Sequence, residues 1–417
     1  MQTLPLSELL GSPVYDPSGA ASGRVREVTL APQEDRSRVA SFIVKTKTGN
    51  RILPFASVAA INGGIRASTS AAEWPTSNGT EGLFLLERDL LDQQVIDVNG
   101  RKVVRVNDVD LQLDPHKAGG PAHPVLRIHS VDVGARGAVR RLLRGLAPRP
   151  ALHALLDRIP PRTIPWTFVD LIETDPARRI KLKISHDGLA KLHPADIADI
   201  VEDLAPDERE AVFETLDEGV AAEALEEVEP RVQKAIVESL DSDRAAEIVE
   251  EMDPDAAADL LAELPQERTE QILVQMEPSA SQEVVELLEH KEETAAGRMT
   301  TEFLALLVTA TVEDAIQSMH HFEGGVESVS TIYLVDSHGT LVGAVPLARL
   351  VLAQSTTPLL SLTQEPLVLT HQSTSDNEVA ELFDKYNLLM LPVIDDHNKL
   401  IGVITSDDVI SMLRAKL

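Results

Sequence analysis

The 417-residue sequence predicts a multidomain α+β protein: two small β units, then an acidic all-α helical solenoid, then a tandem pair of βαββα modules. Three internal repeats carry that prediction. One relates residues 81 positions apart near the N-terminus, one recurs every twelve residues in the middle, and one relates residues 59 positions apart at the C-terminus.

Composition narrows the class. The chain has no cysteine, which excludes disulfides and thiolate metal sites and fits a reducing compartment. MQTLPLSELLG lacks the basic-then-apolar pattern of a signal peptide. The longest apolar run, FLALLVTATV, is about half of the ~20 residues that span a bilayer. We therefore expect a cytoplasmic protein without a membrane span, with peripheral contact at a membrane surface as the alternative. Charge is unevenly spread: residues 1–185 carry a net charge of +6, residues 186–300 carry −25, and residues 301–417 carry −10. The middle block would repel phosphates, so nucleic acid is not an expected partner, whereas cations or a basic protein surface are.

The first repeat relates Leu9-Leu10, Val14, Asp16 and Gly19 to Leu90-Leu91, Val95, Asp97 and Gly100, and Arg24, Val25, Val28 and Leu30 to Arg105, Val106, Val109 and Leu111. Each copy reads as strand, turn, strand, with turns DPSG (16–19) and DVNG (97–100) in which glycine takes a positive φ. SFIVKTKTGNRILPF adds a hairpin to the first copy. LLGSPVYDPSGAASGRVREVTL resembles the PRC-barrel family, and the second copy is similar. The resemblance implies two small β-barrels, at 1–75 and 82–130, acting as adaptors for a protein partner.

The twelve-residue period runs through Leu192, Leu204, Leu216, Val228, Leu240, Met252, Leu264, Met276 and Leu288. Apolar pairs such as Ile200-Val201, Val212-Phe213 and Ile248-Val249 follow eight and nine residues after the anchors. Proline recurs two residues after an anchor, at 194, 206, 230, 254 and 278, where it starts a helix and stops the one before. Asp253 and Ser242 are placed to cap. The period predicts about eight helices of roughly nine residues, each too short to be stable alone and therefore stacked.

In the third repeat, TIYLVDSHGTLVGAVPLARLV (331–351) matches MLPVIDDHNKLIGVITSDDVI (390–410). Each copy is strand, Asp-containing hairpin, strand and helix, preceded by an amphipathic helix, TVEDAIQSMH or SDNEVAELFDKY. The pattern resembles a paired CBS domain, with modules at 298–356 and 357–417. The ending Gly402-Val403-Ile404-Thr405-Ser406-Asp407-Asp408 carries that resemblance most specifically. It implies a nucleotide of the ATP or AMP type held by Thr405 and Asp408 beside Gly402. A simple start to the last helix at Ser406 or Asp407 is the competing explanation. In the first module Pro346 and Arg349 stand where Thr and Asp would be, so no ribose site is expected there.

Residues 131–184 read as a basic, proline-containing linker with a helix whose arginines include Arg136, Arg140, Arg141, Arg144, Arg149, Arg158 and Arg162. We expect it to dock on the acidic solenoid; a membrane-surface helix is the alternative.

The order of these parts, LHPADIADIVEDLAPDEREAVFETLDEGVAAEALEEVEP, then EETAAGRMTTEFLALLVTATVEDAIQSM, then two CBS modules, resembles the cytosolic half of the MgtE-type magnesium channels. The solenoid at 185–297 then corresponds to that family's N-terminal helical domain. The resemblance implies a dimeric Mg²⁺ sensor, the two copies meeting through the CBS pair. The family's pore is not found in this sequence, and THQSTSDNE (370–378) keeps only Asp376 and Glu378 where the family is richer in acid. Candidate cation ligands are Glu226, Glu227 and Glu229; Glu250, Glu251, Asp253 and Asp255; and Glu292 and Glu293 at the junction to the CBS pair. No catalytic constellation is visible, so an enzyme is not expected. The expected function is Mg²⁺-responsive regulation, relayed to a partner. The rivals are a ligand-independent scaffold and an accessory subunit of a separate transporter.

Overall fold

The computed structural model describes residues 3–31, 35–77, 83–114, 125–143, 155–156, 159–173, 186–291, 293–322, 329–363 and 366–415. It divides into two compact units, Met1–Val232 and Gln233–Leu417.

In the first unit, copy one comprises β1 (Thr3–Pro5), α1 (Leu6–Leu9), β2 (Pro13–Tyr15), β3 (Ala21–Leu30), β4 (Val39–Thr46), β5 (Gly49–Pro54), β6 (Val58–Ile61) and β7 (Ile65–Ala67). Copy two comprises β8 (Phe84–Leu85), α2 (Leu86–Asp89), β9 (Gln94–Asp97), β10 (Lys102–Arg105), β11 (Asp108–Asp114) and β12 (Val125–Asp132), followed by α3 (Ala135–Leu142), β13 (Thr163–Pro165) and β14 (Val169–Leu171). The DPSG turn forms as its sequence predicts: Asp16 Oδ1 accepts from the Ser18 and Ala20 amides at 2.9 and 3.0 Å, and Gly19 has φ +87°. In the DVNG turn Asp97 accepts from the Gly100 amide, but the positive φ falls on Arg101, at +48°.

The two copies are not separate barrels. Their leading strands are exchanged: β1 pairs with β11, and β8 pairs with β3. Glu27 and Asp108 occupy equivalent places 81 residues apart, and each carboxylate receives amides from the other copy's short helix. Glu27 accepts from Glu87 N and Arg88 N, and Asp108 accepts from Ser7 N. Leu30, Phe42 and Leu53 share a single core with Leu90, Leu111 and Ile164. Because each copy lends its first strand to the other, neither closes round its own core. The strands form open sheets, β5-β4-β3-β2-β7-β6, β1-β11-β12-β13 and β10-β9-β14, with no closed barrel among the described residues.

The stretch expected to be a linker completes the second copy. RTIPWTFVDLI (162–172) repeats RILPFASVAAI (51–61), and β13 and β14 join β12 and β9. The basic helix α3 docks on carboxylates of the β region rather than of the solenoid. Arg140 is buried, with Nη1 2.8 Å from Asp108 Oδ2 and 3.7 Å from Asp110 Oδ1, and Arg141 pairs with Asp92. Burial pushes the Asp110 carboxyl up to about 6, against the pull of Arg140. The arginines at 144, 149 and 158 lie outside the described residues. The first unit continues into α4 (Pro194–Glu202), α5 (Pro206–Phe213) and α6 (Glu218–Glu226). Arg101 Nη1 lies 2.9 Å from Asp196 Oδ1 of α4.

The period of twelve is realised as helices separated by tight turns. After α7 (Pro230–Ser239), across which the division of the units falls, come α8 (Ser242–Glu250), α9 (Pro254–Glu263), α10 (Gln266–Gln275) and α11 (Pro278–Leu288). The predicted apolar pairs are buried up to Leu260-Leu261; Leu273 is only partly buried and Val285 is 40% exposed, so the pattern weakens at its end. Asp253 stands at the N-cap of α9 without a side-chain capping bond, and the N-cap of α8 is Asp241 rather than Ser242.

The C-terminal modules follow the expected order. Module one has β15 (Ala305–Leu307), α12 (Val312–His320), β16 (Thr331–Val335), β17 (Leu341–Pro346) and α13 (Leu347–Val351). Module two has β18 (Thr370–His371), α14 (Asp376–Tyr386), β19 (Met390–Ile394), β20 (Leu400–Thr405) and α15 (Ser406–Ala415). Both sheets have the same order and the same parallel-then-antiparallel pairing. The two Asp hairpins also bond each other, Leu341 N to Asn398 O and Leu400 N to Gly339 O.

Candidate functional site

The site lies in the second unit, where the segment after α11 runs along module two. Backbone bonds fasten it: Ala295 N to Thr374 O (2.7 Å), Ala296 N to Gln372 O (3.0 Å), and a reciprocal pair between Thr300 and Val403. Gly402 makes this approach possible, since a Cβ there would meet Met299 Sδ at 2.5 Å and Thr300 O at 2.9 Å. Gly402 is thus a packing residue for the junction.

Across this docked segment two carboxylates from different domains feel each other's charge. Asp255 sits in the first turn of α9, and Asp408 in the first turn of α15. The Asp255 carboxyl is held well above its ordinary range, first by burial and then by the negative charges of Asp408 and Asp253, against a smaller downward pull from the Thr300 hydroxyl. Asp408 is pushed up to about 6, again chiefly by burial, despite bonds from Thr405. Each residue keeps part of its surface in contact with solvent, but Asp255 Oδ1 is buried and has no hydrogen-bond partner among the described residues. Such an acceptor is costly unless something positive or proton-bearing meets it. An adjoining small hollow of about 30 Å³ is lined by Asp255, Asp259, His290, Gly297 and Met299 among others.

These groups fit a hard divalent cation. Mg²⁺ keeps several waters and requires only one or two carboxylates from the protein. Among the described residues no three His, Cys, Asp or Glu side chains converge as a metal cluster, so an all-protein cage is not what they form.

The predicted ligands fall into distinct places. Asp253 and Asp255 lie at this site. Glu250, at the end of α8, accepts from the Glu277 amide at 3.0 Å and so fastens the start of α11. Glu251 is the exposed C-cap of α8. Glu226 ends α6 and Glu227 caps it; the Glu229 amide donates to Glu202 at 2.8 Å. Glu293 is exposed on the junction, and its carbonyl accepts from Asp376 N at 3.4 Å; Glu292 lies outside the described residues. Sequence reasoning missed Thr300, Asp259 and Arg298. The TAAGRMT run (294–300) contains the first and last of these, but nothing in a sequence shows which side chains it will face.

Thr405 and Asp408, predicted to hold a ribose, are bonded to one another. Asp408 Oδ2 accepts from Thr405 N at 3.0 Å and from its hydroxyl at 2.5 Å. The last helix begins at Ser406, as one of the two expectations had it, and Thr405 with Asp408 forms a capping pair three residues apart at its start. In module one Arg349 points to different partners, with Nη1 bonded to Leu362 O at 3.2 Å and Thr363 O at 2.6 Å.

Known proteins match this region. Residues 192–293 match the MgtE intracellular N domain, and residues 295–355 and 361–415 each match the CBS domain. The magnesium transporter MgtE of Thermus thermophilus is 33% identical over 134 residues, which is 32% of this chain and 30% of that protein. The chain thus spans about a third of the length of the curated relatives it matches. The crystal structure of the cytosolic domain of the Mg²⁺ channel MgtE in complex with ATP is 30% identical, with a TM-score of 0.52, covering 57% of this chain and 94% of that one. The soluble part of a magnesium transporter superposes with a TM-score of 0.53 at 25% identity, over 55% of this chain and 91% of that one. No helix among the described residues is long and apolar enough to cross a membrane. Through its helical domain and CBS pair, at residues 192–415, this chain belongs to the family of the MgtE cytosolic region.

Proposed function

We propose that the chain is a magnesium-responsive regulatory protein of the cytoplasm. Its switch is the contact between α9 and module two. The observation that carries this reading is the confrontation of Asp255 with Asp408, including a buried carboxylate oxygen without a partner. A divalent cation supplies the positive charge that this contact lacks. Asp255 and Asp408 would hold it. Without it, the two carboxylates must take up a proton or move apart.

The apolar surface of the CBS pair supports a homodimer. Val351, Leu352, Leu389 and Ile410 are 73%, 88%, 65% and 59% exposed. A second copy is the occupant we assign to them, which sedimentation of the full chain tests as a function of concentration. The N-terminal β region, read as a PRC-like adaptor, would pass the switch to a protein partner. Nothing in this reading requires catalysis.

The switch is tested by limited proteolysis at 290–300 across a MgCl₂ titration, with NaCl at matched ionic strength. Protection by MgCl₂ alone supports it. Cleavage indifferent to MgCl₂ favours the ligand-independent scaffold, whose acidic helices bind a basic surface.

A nucleotide is a second ligand worth testing, because Thr405 and Asp408 keep the motif and a similar cytosolic domain was crystallised with ATP. Calorimetry with ATP and AMP on wild type and Asp408→Ala decides it. Binding that survives the substitution removes Asp408 from that role.

A further inference from the structure

We infer that Arg298 is a resident cation that ties the helical domain to module two, a fixed charge that acts beside any divalent ion. Its Nη1 lies 3.3 Å from Asp259 Oδ2 on α9, and its Nε lies 3.7 Å from Asp376 Oδ1 at the start of α14. Asp376 is almost fully buried, the arginine side chain is 25% exposed, and Asp259 is 54% exposed. One guanidinium therefore stands between a carboxylate of the helical domain and a carboxylate of the CBS pair. A planar fork of several N–H groups suits this better than a single ammonium.

The position of Asp259 gives the contact its meaning. Asp255 and Asp259 are four residues apart on α9 and share one face, about 6 Å along the axis. Helix α9 thus presents two acids to the same neighbour. One meets the like charge of Asp408, and the other meets Arg298. Repulsion and attraction sit one turn apart on a single rigid helix. Arg298 also belongs to the segment whose amides at Ala295, Ala296 and Thr300 are bonded to module two, so its loss acts directly on that seam. The guanidinium adds to the closure of the seam at every cation level, and so sets how much cation is needed to close it fully. This last consequence rests on the cation reading above; the latch itself does not.

The experiment is hydrogen exchange on the full chain, first in EDTA and then across a MgCl₂ titration at fixed ionic strength. Arg298→Gln should speed exchange at Ala295, Ala296 and Thr300 in EDTA by on the order of 5-fold or more. Asp259→Asn, at a half-exposed position whose change does not threaten folding, should shift the same amides in the same direction by less. In both variants the MgCl₂ midpoint should rise, and saturating MgCl₂ should restore wild-type protection. Exchange in EDTA equal to wild type in both variants overturns the inference, as does loosening spread evenly over the whole chain. If the variants loosen in EDTA while wild type ignores MgCl₂, the latch stands and the cation reading falls.

Discussion

The two CBS modules share a fold and part at one turn. Their hairpins are the same to the hydrogen bond. Asp336 Oδ1 accepts from the His338 and Thr340 amides at 2.8 and 2.9 Å, and Asp395 Oδ1 accepts from the His397 and Lys399 amides at 2.8 Å each. At the turn from last strand to last helix they diverge. Module one has Arg349, spent on the carbonyls of Leu362 and Thr363. Module two has Asp408, which caps its helix and faces Asp255. What the modules share builds the fold, so it says little about ligands. The departure separates a turn closed on its own backbone from a turn that carries an uncompensated charge.

The largest effect expected from breaking this difference is on the MgCl₂ response. Asp408→Asn or Asp255→Asn removes one of two carboxylates and should raise the MgCl₂ midpoint of protection on the order of 10-fold or more. Arg349→Gln, at the matching place in module one, should leave that midpoint unchanged.

The next effect has a sign that a purely structural role would not produce. In EDTA, Asp255→Asn relieves a buried like-charge contact and should stabilise the chain by ~1–3 kcal/mol in urea unfolding. Arg349→Gln should instead destabilise it, by about 1 kcal/mol, because two carbonyls lose their donor.

The modules can be compared again at their paired glycines. Gly402 faces the Thr300 carbonyl and Met299, whereas a Cβ at Gly343 would meet the Thr363 methyl at 2.6 Å. Gly402→Ala should cost ~1–3 kcal/mol and loosen the junction. Gly343→Ala should cost less and leave the junction untouched, since a side chain can rotate where a fixed carbonyl cannot.

The smallest effect is the pH dependence. An unfolded Asp titrates near ~4, while folding raises Asp408 to about 6. Between these values the folded chain takes up a proton that the unfolded chain does not. Stability in EDTA should therefore rise as pH falls from about 6 towards 4, and the full penalty should stand above pH 6. Saturating MgCl₂ should flatten the slope, because it replaces the proton as the neutralising charge.

Much of this was legible in the sequence. Apolar periodicity and proline placement foretold the helices, and the repeat spaced by 59 foretold the two modules strand by strand. Asp255 and Asp408 were both singled out, but for separate ligands, since only folding brings residues 153 positions apart to one place. The 81-residue repeat was visible and its exchange of strands was not, because a repeat reports similarity and not which copy a strand joins. RTIPWTFVDLI escaped notice because its offset from RILPFASVAAI is 111 rather than 81. The extra length carries α3, whose arginines drew attention to charge and away from the strands beyond. Arg140 then found its carboxylates in the β core, closer along the chain than the solenoid.

The central claim is that Asp255 and Asp408 are held together by a divalent cation. Hydrogen exchange at the Ala295, Ala296 and Thr300 amides of the wild-type chain tests it most directly, with MgCl₂ titrated at constant ionic strength. Protection should saturate with MgCl₂, should not be reproduced by NaCl, and should be abolished or shifted to much higher concentration by Asp408→Asn. Protection that is the same in MgCl₂ and NaCl, or unchanged in Asp408→Asn, would contradict it.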